Sequence, residues 1–315
     1  MLRTKTIFIS LTLLGLISCV GEKFELIQLN FEKDLIPEGI AIDGGTKRLY
    51  LNSLKNHKIV SSSLEGNNIK TFLETNKHNY LAGFGMTIKG DTLYALGNSL
   101  GKDNNKSILL LLNLASGDLI DSYSINDSEF HYWNDLAISA KNEIFITDSE
   151  SNKIYKVQRP GNTIEIYLDS EKISNSNGIT ISDNDEYLYL ASSTGICIVE
   201  TISKKIINEP KEDHSGIDGL KFHNNNLYGI VNGWRDNLKN GLFKFELNEA
   251  GTQILERKKL VEFTEDFKIP TTFDIFAGNI YFVINTQLDN FDGDTDKIVD
   301  LRTLESYKMM KIGVE

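Results

Sequence analysis

From residue 24 onward the chain runs in short stretches where apolar and polar residues alternate, and no helical periodicity is sustained between them. One stretch recurs. "PEGIAID" (37–43), "WNDLAIS" (133–139), "SNGITIS" (176–182) and "IDGLKFH" (217–223) share an apolar β-like core behind a polar residue, and "GFGMTIK" (83–89) is a looser copy. Aligned on the residue ahead of the core, with a sixth copy in blade position at Thr271, they fall at Glu38, Phe84, Asn134, Asn177, Asp218 and Thr271, with gaps of 46, 50, 43, 41 and 53 residues. A second stretch follows each copy: "RLYLNS", "TLYALGNS", "EIFITDSES", "YLYLASS", "NLYGIVNGW" and "NIYFVINTQ". All six carry an aromatic at the third position and run from apolar into polar residues. The links ahead of them are turn-rich.

A repeat of this length built from strands predicts an all-β protein, a single six-bladed β-propeller over residues 24–315. Third and fourth strands are readable in the first five blades. For the sixth, "KIVDL" (297–301) is the expected third strand. "FELIQLN" (24–30) is preferred over "SYKMMKI" (306–312) as its outer strand, because pairing the N-terminal strand into the last blade removes the open edges of the ring.

In such a ring the innermost strand of every blade lines one central channel, so the variable residues face a common axis. Glu38, Asn134, Asn177 and Asp218 supply two carboxylates and two amide oxygens, a hard-oxygen set suited to Ca²⁺ rather than Zn²⁺. Asn-Gly, Asp-Gly and Glu-Gly are also common turn dipeptides. Phe84 and Thr271, at the same position, show that the turn alone does not demand them.

Charge and leader narrow the picture. With 44 Asp and Glu against 33 Lys and Arg, the net charge is −11, which argues against nucleic acid as a partner. Residues 1–18 read as a secretory signal: basic Arg3 and Lys5, then the apolar run 7–18. It ends in "LISC", which resembles a bacterial lipobox. Cys19 would be lipidated, residues 19–23 would form a tether, and the protein would be anchored by lipid in the bacterial cell envelope, facing the periplasm or the outside. The second of the two cysteines, Cys197, has no intrachain partner and reads as a buried thiol.

The order Glu in "PEG", Asn in "ND", Asn in "SNG" and Asp in "DG" on successive blades resembles the gluconolactonase/regucalcin (senescence marker protein) family, and also the diisopropyl fluorophosphatases and paraoxonases. The resemblance spans about residues 24–300. It implies a metal-dependent hydrolase of a lactone or related ester. Glu38, Asn134, Asn177 and Asp218 would hold a divalent metal, usually calcium, and Asp218 would also serve as base or nucleophile. The sugar-lactonase branch has an Arg two residues ahead of the "ND" Asn, where this chain has Tyr132. "GFGMTI" likewise lacks the His that paraoxonases place in that blade.

The loops at the channel mouth would hold His131, Tyr132, Trp133, Asp148, His214, Asn232, Trp234 and Arg235. Aromatics over a polar floor suit a small-molecule substrate, and Arg235 could hold its carboxylate or phosphate. "DNFDGDTD" (289–296) reads as a solvated acidic loop. The alternative to an enzyme is a non-catalytic lipoprotein propeller, stabilised by metal, that binds a ligand or protein.

Overall fold

Twenty-four strands form six four-stranded antiparallel sheets, and a separate two-stranded hairpin completes the described β-structure. The computed structural model describes residues 24–101, 105–125, 127–159 and 163–314. The leader, Cys19 and the tether 19–23 lie outside these residues. From the axis outward, blade one is Ile40–Asp43, Arg48–Asn52, Ile59–Ser63 and Lys70–Leu73. Blades two to five open at the axis with Ala82–Lys89, Trp133–Ile138, Ile179–Ile181 and Ile217–His223, and close outside with Leu119–Ile125, Thr163–Asp169, Lys205–Ile206 and Ile254–Glu262. Each innermost strand touches the next, and the sixth touches the first, so the ring is closed.

Blade six joins the two ends of the chain. Its order is Asp274–Phe276, Asn279–Val283, Tyr307–Gly313 and then Phe24–Leu29 from the N-terminus. The N-terminal strand therefore closes the ring, as the pattern predicts. The third strand is not "KIVDL". That segment contributes only Lys297–Ile298, paired with Phe291–Asp292 in the small hairpin. "SYKMMKI" takes the third position because it buries apolar residues on both faces, Tyr307 and Met309 on one and Met310 and Ile312 on the other, whereas Val299 is 69% and Leu301 70% exposed.

The repeated aromatic explains how the blades cohere. Tyr50 is buried among blade-two residues such as Leu93 and Ala95. Phe145 meets Leu188 and Leu190 of blade four, Tyr228 meets Ile280 and Phe282 of blade six, and Tyr281 meets Leu49 and Leu51 of blade one. Each aromatic thus fills the gap to the following blade. Cutting one to Ala would cost about 3–5 kcal/mol. The polar ends of the second strands stitch the same seams. Asn98 accepts from the Trp133 N–H and donates to its carbonyl, each at 2.9 Å. Thr147 Oγ1 donates to the Asn177 carbonyl at 2.6 Å. Asn52, which accepts from the Gly39 N–H at 2.8 Å, donates to the Phe84 carbonyl. Asn52 and Asn98 are fully buried fasteners.

Candidate functional site at the channel axis

The pairing register slips between Trp133 and Leu136, between Ile217 and Leu220, and between Gly83 and Met86. These bulges contain Asn134, Asp218 and Phe84. A bulge re-aims a side chain out of the strand's alternation, here toward the axis. The glycines beside these residues serve the same crowding. A Cβ on Gly178 would lie 2.4 Å from the Asp218 carbonyl oxygen and 2.6 Å from the Leu220 nitrogen. One on Gly39 would meet the Phe84 carbonyl oxygen at 2.1 Å. Neither glycine has a positive φ. The dipeptides are therefore set by close approach of neighbouring blades, not by turn conformation.

Three of the four repeat oxygens have no partner. Glu38 Oε2, Asn134 Oδ1 and Asn177 Oδ1 are buried and unbonded. The orientation of Asn134 is fixed by its nitrogen: Nδ2 donates to Ser149 Oγ at 2.9 Å, and that hydroxyl donates onward to the Ser176 carbonyl at 3.0 Å. Asn177 hydrogen-bonds the Asp218 carboxylate. Asp218 Oδ2 also accepts from Asn232 Nδ2 at 2.7 Å. The Glu38 backbone is clamped by blade six, its carbonyl accepting from Thr271 Oγ1 at 2.8 Å and Thr272 Oγ1 at 2.7 Å.

The carboxylates sense one another. Burial pushes the Asp218 carboxyl up to about 6, against the bonds from Asn232 and Asn177 and helped by the charge of Asp135. Burial, then the charges of Asp218 and Asp135, raises Glu38 well above the usual carboxylate range, while Lys221 pulls it down. Buried like charges with unpaired oxygens are costly unless a cation or a proton joins them. Among the described residues no three His, Cys, Asp or Glu side chains form a metal-holding group. The groups able to hold a cation here are the mixed set of two carboxylates and two amides.

A lower layer was not singled out in the sequence. Asp135 is 2% exposed, with Oδ2 unbonded. Asp274 Oδ2 accepts from the Ile42 N–H of blade one at 2.7 Å. Burial raises both carboxyls, and Lys221 counters it. Lys221 and Asp274 each stand three residues after the repeat position, at Asp218 and Thr271, so reading the repeat one layer deeper would have found them.

The expected mouth residues divide. Tyr132 stands at the rim, its ring edge-on to Phe84 with centroids 4.7 Å apart. Burial, then the charges of Glu38, Glu150 and Asp294, pushes its phenol up to about 12. Behind it, His131 Nδ1 lies 2.8 Å from Asp148 Oδ2 and Nε2 lies 3.0 Å from Asp127 Oδ1. Asp148 Oδ1 accepts from the Tyr132 N–H at 2.9 Å, so this pair holds the segment that leads into the strand carrying Asn134. Trp133, expected in the substrate pocket, is fully buried in the core between blades two and three, because its strand position faces the seam. His214, expected beside it, packs edge-on against Phe245 and borders an outer cavity with Ile207 and Thr252. Asn232 reaches Asp218, Trp234 is half-buried beside it, and Arg235 is exposed.

The segment read as an acidic loop is part of a long connection in blade six. Its Leu288, Phe291, Ile298 and Leu304 pack on the cluster containing Ile36, Leu54 and Phe84. Lys55 and Asp296 pair at 3.7 Å. It therefore covers the rim beside blade one, with Asp294 and Asp296 among its exposed side chains.

No protein-family model and no curated protein sequence matches the chain. Solved structures do. A gluconolactonase from Xanthomonas campestris is 12% identical, over 91% of this chain and 89% of that one, with a TM-score of 0.58. A luciferin-regenerating enzyme is 13% identical, over 92% and 96%, with a TM-score of 0.61. A virginiamycin B lyase from Staphylococcus aureus, solved with quinupristin, is 14% identical, over 93% and 100%, with a TM-score of 0.59. At these identities what this chain shares with the three is the fold, a β-propeller, built in this chain from six blades.

Proposed function

We propose that this protein is a divalent-metal-dependent hydrolase, with calcium the favoured ion, that opens a lactone or related ester at the mouth of its central channel. The observation that carries this reading is the set of buried, unbonded oxygens of Glu38, Asn134 and Asn177 beside the Asp218 carboxylate. Their donor chemistry fits a hard cation with 6–8 oxygen ligands, the balance coming from solvent or substrate. Glu38, Asn134, Asn177 and Asp218 would hold it. Bound there, the ion would polarise a carbonyl oxygen. Asp218 takes the proton of the attacking water, its carboxylate oriented by Asn232 and Asn177. Tyr132 and Phe84 form an apolar wall that limits access of bulk water. The phenol, held up to about 12, stays neutral at working pH. That gluconolactonase and other enzymes share the fold supports a hydrolase over a purely binding propeller.

The test is calcium binding together with turnover of a lactone and ester panel. Calcium should raise the melting temperature and EDTA should reverse the rise. EDTA-sensitive hydrolysis should fall about 10²–10⁴-fold in Asp218→Asn. Calcium binding with no turnover of any panel member would leave only the non-catalytic propeller.

A further inference from the structure

The connection between the second and third strands of blade six, residues 284–306, is far longer than its counterparts, which span 53–58, 99–106, 149–152, 193–194 and 232–240 in blades one to five. Its root is fixed by two side-chain amides that stand in for backbone rungs. Gln287, 2% exposed, accepts from the Glu305 N–H at 2.7 Å and donates to the Glu305 carbonyl at 3.2 Å. Asn290 accepts from the Asp300 N–H at 2.8 Å and donates to the Asp300 carbonyl at 3.0 Å. Beyond them the hairpin of Phe291–Asp292 and Lys297–Ile298 forms the tip. The tip is therefore held in one direction.

That direction is along the rim, past the mouth links of blades one and two toward blade three. Asp296 pairs with Lys55 of blade one at 3.7 Å. A Cβ on Gly293 would lie 3.7 Å from Leu100 of blade two. Leu100 and Tyr132 pack on the same apolar cluster as Phe291 and Ile298. Asp294, next to Gly293, is exposed. The other carboxylates of the tip are engaged: Asp296 by Lys55, and Asp292 by the Asp294 N–H at 3.0 Å and Thr295 Oγ1 at 2.7 Å. The Asp294 carboxylate has no hydrogen-bond or ion-pair partner among the described residues. Glu150, in the link of blade three, is exposed as well. Tyr132 is the residue both reach: the charges that act on its phenol are those of Glu38, Glu150 and Asp294, all negative. Its ring stands beside those of Phe84 and Phe130, with centroids 4.7 and 5.8 Å away. Carboxylates beside electron-rich rings favour a cation and disfavour an anion. Arg235, an exposed cation on the mouth face, belongs to blade five, which lies opposite blade two in the ring.

Resting on the hydrolase reading above, we propose that Asp294 is a specificity-determining residue of the mouth. Held at the rim by the blade-six connection, it joins Glu150 and the Tyr132 ring in favouring substrates with an ammonium substituent and turning away those with a carboxylate. The repulsive half of this choice acts before the substrate reaches the axis.

The ratio of kcat/KM for butyrylcholine over 3,3-dimethylbutyl butyrate, its neutral isostere, reads the charge preference and cancels shape. If only lactones react, α-amino-γ-butyrolactone over γ-butyrolactone below neutral pH takes the place of the ester pair. Measured with calcium at low salt, the ratio should favour the cation in the wild type and fall roughly three- to tenfold in Asp294→Lys. It should fall less in Glu150→Gln, and added sodium chloride of about 0.5 M should flatten the differences. Should Asp294→Lys not fold, Asp294→Asn should lower the ratio about two- to threefold. Asp118→Lys makes the same charge change on the exposed turn between the third and fourth strands of blade two, away from the mouth, and should leave the ratio unchanged. A ratio that the folded Asp294 variants leave unchanged, or that Asp118→Lys lowers as much, overturns the assignment and leaves the hydrolase standing. If no ester or lactone is turned over, the hydrolase reading and the assignment resting on it fall together.

Discussion

Replacing Asp148 by Asn tests how the segment leading into the strand that carries Asn134 is held. Asp148 is fully buried and accepts from His131 Nδ1 at 2.8 Å, the Tyr132 N–H at 2.9 Å, the Glu150 N–H at 3.1 Å and Ser151 Oγ at 3.0 Å. An amide keeps one oxygen and turns an NH₂ toward two of these donors. It also removes the charge opposite a ring that is 1% exposed. Breaking a buried pair costs about 3–5 kcal/mol. The second carboxylate, Asp127, is 48% exposed and contributes little because solvent screens it. A loss of about 3–4 kcal/mol corresponds to a melting temperature lower by roughly 5–7 °C in a domain of this size. The pH dependence gives a second reading. The Asp148 hydrogen bond raises the His131 pKa above its ordinary value, and burial opposes it less strongly. A raised imidazole contributes stability that is fully present below its unfolded pKa of about 6.5 and is lost as pH rises through the folded value. The wild-type advantage over Asp148→Asn should therefore be largest near pH 6 and shrink toward pH 9. Urea melts across that range measure it. A variant within about 0.5 kcal/mol of wild type, or a difference that does not vary with pH, would refute the argument.

Two further outcomes follow from the axis. Gly178→Ala should destabilise by about 1–3 kcal/mol or more and weaken the calcium-induced rise in melting temperature, since the new methyl meets the Asp218 carbonyl and Leu220 nitrogen of the next blade; a variant that melts and responds like wild type would show that the blades can separate freely. Lys221→Met should lower stability at pH 7 by about 1–3 kcal/mol, and the deficit should narrow toward pH 5. Asp135 and Asp274, already raised by burial, are then raised further and can take protons, which favours the folded state at lower pH; chemical denaturation at the two pH values separates this from a simple packing loss.

Much of the ring was legible because it is repetitive. The apolar core behind Glu38, Asn134, Asn177 and Asp218 and the aromatic at Tyr50, Tyr94, Phe145, Tyr189, Tyr228 and Tyr281 each repeat with the blade, so one alignment locates both. What failed was non-repetitive. "KIVDL" alternates well enough for a strand, but the sheet position was taken by residues nine to ten places later, and only the pairing of Tyr281 with Lys311 and Phe282 with Met310 decides between them. Trp133 and His214 flank repeat positions, yet strand phase turns one into the seam and a short 3-10 turn, Glu212–His214, packs the other on Phe245.

The two layers of the channel differ in how their charge is met. In the lower layer Asp135 and Asp274 face an ammonium that the chain itself supplies, Lys221, and the bonds from the Leu136 N–H to Asp135 and from the Ile42 and Ile275 N–H groups to Asp274 complete much of their need. In the upper layer the same lysine acts on Glu38 alone, as the smallest influence after burial and the charges of Asp218 and Asp135, and the Glu38, Asn134 and Asn177 oxygens have no donor. Both layers were built from the same repeat, so the contrast is one of sequence choice at defined positions. A fold that needed only a stable axis could have placed a second lysine, or apolar residues, above the first. Leaving two carboxylates and two amides oxygen-outward costs stability in the bare protein, a cost that, on the proposed function, a cation entering from the mouth would recover.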